Sequence, residues 1–293
     1  MRWRRGQGRD QIDDRRGQGL GGLGAGGARF PIPISGVGGG LGGLLVLIVL
    51  VVLFSTGVLG GGSGGSSGAG RGSDQLAGAP DAQANLADFV GFVVHDVQDW
   101  WQRNFASAGR TYQVTKLVLF NDQTQSGCGL ASSETGPFYC PVDRNVYLDL
   151  GFFQELTNRF QAPGDFAEAY VIAHEFGHHV QTLLGTQDRV QQEQRSHPGE
   201  ANNLSVRLEL QADCYAGVWA HSAYDQQLLE SGDLEEALTA AAAVGDDRIQ
   251  RSAGRSVNPE TWTHGSSAQR EKWLKIGFGE GDPSACDTFS GSI

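Results

Sequence analysis

The chain has 293 residues, which is enough for two average domains or for one domain with attached segments. More than half of its 44 glycines lie in residues 1–72, and they follow no three-residue period, so this first quarter is low in complexity but not collagen-like. Hydrophobic residues make up 39% of the chain, which argues against disorder throughout, and the net charge of −11 disfavours nucleic acid as a partner.

The first predicted element is a membrane anchor. The run Leu44 to Phe54 (LLVLIVLVVLF) lies within an uncharged stretch, 36–60, and about 20 apolar residues suffice for a helix to span a bilayer. Arginine-rich sequence precedes it and acidic sequence follows, so the positive-inside rule predicts a cytoplasmic N-terminus and a body outside the cell membrane. A cleaved signal peptide is the alternative. We favour an uncleaved single-pass helix in contact with lipid, because no clear A-x-A cleavage site follows.

Four regions are predicted from these changes in composition. They are a basic Gly/Arg-rich cytoplasmic head (1–30), the transmembrane anchor (36–60), a flexible Gly/Ser linker (61–80) and one folded domain (81–293).

The folded domain begins with a predicted amphipathic helix, because apolar residues recur at three- and four-residue steps from Leu86 to Trp101. Residues 112–120 (YQVTKLVLF) have strand composition. The segment 145–150 (NVYLDL) alternates apolar and polar residues, which predicts a half-exposed strand at the edge of a small sheet. An exposed edge of this kind can bind an extended peptide.

Helices are predicted for most of the second half of the chain. The best-defined one covers 165–184, with Asp165 as its N-cap, Glu168 as the capping-box partner and Gly185 as its stop signal. The others are predicted at about 151–160, 204–228, 234–250 and 267–276. Short strands followed mostly by helices indicate an α+β fold.

The four cysteines favour two disulfides. Their spacing matches no C-x-x-C motif, and three pairings are possible. Cys128 with Cys140 is favoured because the intervening sequence resembles a loop closed by a short bridge, which leaves Cys214 with Cys286. Four buried thiols are the alternative, and an oxidising compartment favours the bridges.

A metal-binding motif lies within the best-defined helix, at His174-Glu175-Phe176-Gly177-His178. Residues four apart on a helix lie one turn above each other, so both imidazoles can bind one Zn²⁺ ion. Glu175 projects about 100° around the helix, beside the metal, where its carboxylate can take a proton from an activated water.

A catalytic zinc site needs a third protein ligand. The metzincin pattern is excluded, because Leu184 occupies the position where its third histidine would lie. Glu209 is the best candidate, with Asp213 accepting the free N–H of a zinc-bound imidazole, because two carboxylates one turn apart in an apolar helix need partners. The other downstream candidates are Glu193, His197, Glu200, His221 and His264.

These motifs resemble a known group of enzymes. HEFGHHVQ followed by ELQADCYAG is similar to the gluzincin arrangement of H-E-x-x-H and a later E-x-x-x-D. With GPFYCP, VYLDL and THGSSAQR, the sequence resembles the putative neutral zinc metallopeptidase family over about 85–290. The resemblance implies a mainly helical, zincin-like, membrane-anchored zinc peptidase fold and leaves the substrate open.

The remaining predicted role is a donor that stabilises the developing oxyanion. His264 is our candidate, with Arg270 nearby on the next helix; the alternative is that His264 only caps that helix. Tyr170 and Tyr215 are weaker candidates, and His179 is expected to be structural or to support a metal ligand.

The sequence therefore predicts a zinc-dependent peptidase with Glu175 as general base, acting on a peptide or protein substrate. Two alternatives stay open. One is a non-catalytic scaffold with structural zinc, which would need a fourth protein ligand. The other is a zinc amidase that acts on cell-wall peptides with the same zinc–water chemistry.

Overall fold

The computed structural model describes residues 1–17 and 83–293. Within these ranges the helices are α1 (Ala84–Ser107), α2 (Gly151–Asn158), α3 (Asp165–Leu183), α4 (Thr186–Ser196), α5 (Ala201–Asp225), α6 (Asp233–Ala243), α7 (Asp246–Ser252) and α8 (Ser267–Glu280). The strands are β1 (Ile12–Asp14), β2 (Leu117–Phe120), β3 (Gln123–Ser126), β4 (Gly129–Ser132), β5 (Phe138–Cys140) and β6 (Asn145–Asp149). The described part is mainly helical with a small sheet, which confirms the α+β prediction.

The main sheet has the strand order β1-β2-β6-β5. β2 is parallel to both of its neighbours, whereas β5 and β6 are antiparallel; β3 and β4 form a separate hairpin. β6 is therefore an inner strand, and the prediction that 145–150 forms an edge is wrong. Both of its faces are covered, since Val146 and Leu148 belong to the main core while Tyr147 packs in a second, smaller core.

The helix α3 begins differently from the prediction. Gly164 is its N-cap residue, and the backbone N–H of Phe166 donates a hydrogen bond to the carboxylate of Glu236, on α6, at 3.1 Å. Asp165 and Glu168 do not form the predicted capping box, because Asp165 lies inside the first turn. The end of the helix agrees with the prediction, as Gly185 follows it with a positive φ of 71°.

Small residues bring the central helices together. A Cβ atom on Gly177 of α3 would lie 3.1 Å from the backbone of Ala212 on α5. On the other side of α5, a Cβ on Gly277 of α8 would lie 2.0 Å from the carbonyl oxygen of Cys214. Larger side chains at these glycines would separate α3, α5 and α8, which carry the candidate site.

The structure contains the two favoured disulfides, Cys128–Cys140 and Cys214–Cys286. The first lies beside the smaller core and the second joins α5 to the C-terminal segment. Both predicted pairings are confirmed.

The first 17 residues pack against the rest of the described chain. β1 belongs to the main sheet, and Met1 and Ile12 are buried in the main core. The predicted anchor (36–60) and linker (61–80) lie outside the described residues. Among the helices that are described, none combines the length and apolar character needed to span a bilayer.

The predicted helices beyond α3 are present with shifted bounds. The segment predicted as one helix over 234–250 is divided into α6 and α7, which are separated around Gly245. β1, β3, β4, β5 and α4 were not predicted.

Candidate metal centre

Three side chains from α3 and α5 converge on one point. The Nε2 atom of His174 lies 3.3 Å from one carboxylate oxygen of Glu209, and the Nε2 atom of His178 lies 3.5 Å from the other. Two ligands each about 2.0–2.1 Å from a tetrahedral ion would be roughly 3.3–3.4 Å apart. The donor set and its spacing therefore fit Zn²⁺, which these three residues could hold.

Helical geometry explains why the three ligands meet. His174 and His178 are one turn apart on α3, and their rings are perpendicular with centroids 4.9 Å apart. Glu209 is on the face of α5 that packs against α3, where Gly177 allows the close approach. A single turn of each helix is enough to form the site.

The imidazole of His174 is supported by a buried charged network. Its Nδ1 atom donates to Asp213 at 2.9 Å, and Asp213 is fully buried. Arg270 from α8 binds both oxygens of that carboxylate, at 2.8 and 2.9 Å, and the hydroxyl of Tyr170 donates to it at 2.6 Å. These contacts satisfy Asp213 and leave the Nε2 atom of His174 directed at Glu209.

Charges determine the protonation of this network. Burial opposes ionisation of Asp213, but the charge of Arg270, followed by that of His174, holds the pKa of the carboxyl below its usual range. Burial also opposes a charge on His174, yet Asp213 and Glu209 raise the pKa of this imidazole to about 9. A proton therefore competes with a metal ion for His174 at neutral pH.

His178 is held by a different kind of partner. Its Nδ1 atom lies 2.9 Å from Oε1 of Gln181, on the same helix. The amide nitrogen of Gln181 donates to the carbonyl of Leu208 at 2.7 Å and to Gln211 at 3.2 Å, so its oxygen must accept from His178. This fixes the proton of His178 on Nδ1 and leaves Nε2 free as a ligand.

Glu175 lies beside the ligands and is almost completely buried. The backbone N–H of Tyr139, on β5, hydrogen-bonds its carboxylate. Burial raises the pKa of Glu175, although the two nearby imidazoles act in the opposite direction. A carboxylate that binds protons more tightly than usual is suited to accept one from water.

His179 joins the same helix to the sheet. One ring nitrogen bonds the backbone carbonyl of Gln113 at 2.7 Å, and the other bonds the hydroxyl of Tyr139 at 3.1 Å. Burial lowers the pKa of this imidazole to about 4, so it is neutral. The contacts confirm the predicted structural role and hold β5 beside α3.

His264 lies in the loop before α8. The backbone N–H groups of Thr263, His264 and Gly265 all donate to one oxygen of Asp246, and the His264 ring lies 3.1 Å from the other. Burial opposes a charge on this ring, but the bond to Asp246 and the negative charge of Glu209 raise its pKa. Arg270 is on the following helix, α8, as predicted, and its guanidinium binds Asp213.

The other candidate ligands are not brought to the site. His197 pairs with the exposed Glu193 at 3.1 Å, and His221 contacts the carbonyl of Phe278 at 2.6 Å. Of the two weaker donor candidates, Tyr170 is at the site but donates to Asp213, and Tyr215 packs edge-on against the ring of Trp101. The remaining candidate, Glu200, is exposed beside α5.

A second group of acids in the described chain lies at the beginning of α3. Its members, Asp165, Asp233 and Glu236, are close enough for their oxygens to share a cation. The α-amino group of Met1 is already there, 2.5 Å from Asp165 and 3.3 Å from Asp233. An ammonium group therefore balances part of this negative charge.

Two supporting residues were missed in the sequence. Gln181 follows His178 by three residues on one helical face, and this spacing was the available signal. Tyr139 had no such signal, because its proximity to Glu175 depends on the path of a three-residue strand.

Comparisons with known proteins agree with this geometry. A family model described as "Putative neutral zinc metallopeptidase" matches residues 1–289. The chain is 46% identical to "Uncharacterized protein YpfJ" of Escherichia coli (strain K12) over 295 residues, which cover all of both chains. It is 53% identical to "Uncharacterized protein Mb2605" of Mycobacterium bovis over 190 residues, 61% of this chain and 64% of that protein. No solved structure matches it.

Proposed function

The chain belongs to the putative neutral zinc metallopeptidase family, and from this premise we propose that it hydrolyses peptide bonds at the centre formed by His174, His178 and Glu209. The observation that carries the proposal is the convergence of these three ligand atoms beside the carboxylate of Glu175. Structural zinc sites are closed by four protein ligands, whereas catalytic sites use three and keep one position for water. Within residues 1–17 and 83–293 the ligand group has three members, which supports catalysis over a scaffold role.

The proposed chemistry divides the work between the metal and one carboxylate. Zinc, when bound, lowers the pKa of a coordinated water to about 7 and polarises a carbonyl. Glu175 accepts the proton of the attacking water and then passes it to the nitrogen of the leaving amine. The Tyr139 backbone N–H orients the carboxylate for both transfers.

His264 is the proposed donor to the substrate carbonyl as negative charge develops on it. Its raised pKa favours the protonated ring, and Asp246 fixes the position of the loop through three backbone contacts. The negative charge of Glu209 contributes to this raised pKa. A fixed, charged donor is worth more in a buried site than in water.

The substrate is proposed to bind along β5 instead of the inner strand β6. In the described sheet β5 pairs only with β6, so its other edge has no strand partner there. Contacts from Tyr139 to Glu175 and His179 support a position of this edge beside the zinc helix. An extended peptide added there would present its backbone to Glu175.

The test is peptide hydrolysis by the full chain and by Glu175→Gln. Wild-type protein should cleave members of a peptide library, and a chelator should stop it. Glutamine preserves size but cannot accept a proton, so we expect activity to fall by at least about 10²–10⁴-fold while bound zinc and melting temperature stay unchanged.

Three results would redirect the proposal. A loss of less than about tenfold on a chelator-sensitive substrate would remove Glu175 as the base. Zinc bound in the wild type, without cleavage of any peptide, would favour the scaffold alternative. Cleavage confined to cell-wall peptides in the same library would favour the amidase alternative.

A further inference from the structure

The first 17 residues, which we term the N-terminal segment, are bound in a groove between α1 and the sheet. β1 pairs in parallel with β2, with Ile12 opposite Leu117, and the N–H of Arg15 continues the pairing by donating to Leu119 at 2.7 Å. The side chain of Ile12 is buried in the main core. The segment therefore supplies one strand of the sheet.

The other wall of the groove fits the segment closely. Gly8 lies against Gly91 of α1, and a Cβ atom on Gly8 would be only 2.0 Å from the carbonyl oxygen of Gly91. Two residues away on the same helix, Phe89 packs edge-on against the ring of Trp3, with centroids 5.7 Å apart. The contact is formed without space for a larger side chain, as within a protein core.

Polar groups complete the contact. Arg9 forms an ion pair with Asp88 of α1 at 2.8 Å, and Arg5 hydrogen-bonds Asn85 on the preceding turn. The buried amide of Gln98 donates to Gln11 at 2.7 Å. Arginines that indicated a cytoplasmic flank in the sequence thus have partners on the body.

We propose that the N-terminal segment and the body lie on the same side of any membrane that the chain enters. Paired strands are about 4.8 Å apart, whereas the bilayer core is about 30 Å thick. β1 cannot pair with β2 across that distance. The conclusion is the same if the segment comes from a second copy, because both copies share one topology.

The family comparison supports the segment as part of the fold. The matching family model begins at residue 1, and the relative from Escherichia coli aligns over the whole chain. This proposal does not depend on the peptidase proposal. The apolar stretch predicted a single crossing, with the N-terminus and the body on opposite sides of the membrane. The present proposal places both on the same side.

The decisive experiment labels one new cysteine at a time in the full chain. Arg4→Cys reports on the segment and Gln192→Cys on the body, and both positions are exposed. Intact cells and inverted membrane vesicles are treated with a membrane-impermeant maleimide, with detergent-treated samples as the total. We expect both cysteines to react in the same preparation. Reaction of one in cells and of the other only in inverted vesicles would overturn the proposal.

A second experiment tests the docking itself. Gly8→Ala and Gly6→Ala both place a side chain at a positive φ, but only Gly8 meets other atoms, since nothing lies within 4 Å of a Cβ on Gly6. The purified full-length Gly8→Ala protein should melt at least about 2 °C below Gly6→Ala. Equal melting temperatures would show that the groove is not filled in the folded protein.

Discussion

Carboxyl groups lie against the middle of helix α3 and within its first turn, and the two regions treat them in opposite ways. At the middle, Asp213 is fully buried next to Arg270 and its pKa is below the usual range. At the beginning, burial and then the nearby charges of Asp165 and Glu236 raise the pKa of Glu168 to about 7. One carboxyl group stays ionised, and the other holds its proton until near neutral pH.

The difference shows that burial alone does not decide the charge of these groups. A guanidinium that binds both oxygens compensates the cost of burying an ionised carboxylate. The protein places that compensation at the residue that orients His174. At the beginning of α3, the ammonium of Met1 contacts Asp165, while the nearest charges acting on Glu168 are negative.

The largest effect on stability is expected from Asp213→Asn, which removes the negative charge that pairs with Arg270. A buried charge without its partner costs about 3–5 kcal/mol of folding free energy. The weaker acceptor for His174 should also reduce zinc affinity about 10–100-fold. Denaturant unfolding and competition with a chelator measure the two effects separately.

The double variant Asp213→Asn with Arg270→Met is the control for this explanation. The double variant removes both charges. Its free energy of unfolding should therefore fall by less than the sum of the losses in Asp213→Asn and Arg270→Met. If the losses were additive, the compensation of Asp213 by Arg270 would not be the reason for the single effect.

Smaller losses of stability and zinc affinity are expected at Gln181, the uncharged side chain that positions His178. Gln181→Leu removes the acceptor for His178 and leaves the carbonyl of Leu208 without its donor. We expect about 1–3 kcal/mol lower stability and zinc affinity reduced about tenfold.

The matched variant Gln181→Glu separates these two losses. It restores an acceptor for the His178 N–H but still cannot donate to Leu208. Zinc affinity, measured with a competing chelator, should recover while stability stays low. If Gln181→Leu bound zinc as tightly as the wild type, Gln181 would not position His178.

The spacing of these residues explains how much of the candidate site could be predicted from the sequence. His174, His178, Glu209 and Asp213 lie at helical spacings, so local periodicity placed each pair on one face. Gln181 needs the carbonyl of Leu208 on another helix, which no local pattern contains.

The sheet shows the same limit at a larger scale. The strand β6 has an alternating pattern that predicts an exposed face, yet a second core buries Tyr147 on that face. The strand β1 lies in glycine- and arginine-rich sequence, where composition predicted a separate head. Both outcomes depend on contacts between segments that are distant in the chain.

The smallest predicted effect comes from Glu168→Gln at the beginning of α3. The pKa of Glu168 is raised from about 4.5 to about 7 in the folded protein, so the unfolded chain releases this proton first as pH rises. The wild type should therefore lose stability between about pH 4.5 and 7 and keep that loss at higher pH. Glutamine carries no charge, so the variant should melt about 2–4 °C above the wild type at pH 8, and the two proteins should melt at the same temperature at pH 4.

Glu235→Gln, which removes an exposed charge from α6, is the control. A variant less stable than the wild type at pH 8 would mean that Glu168 is favourably ionised, and the contrast with Asp213 would then fail.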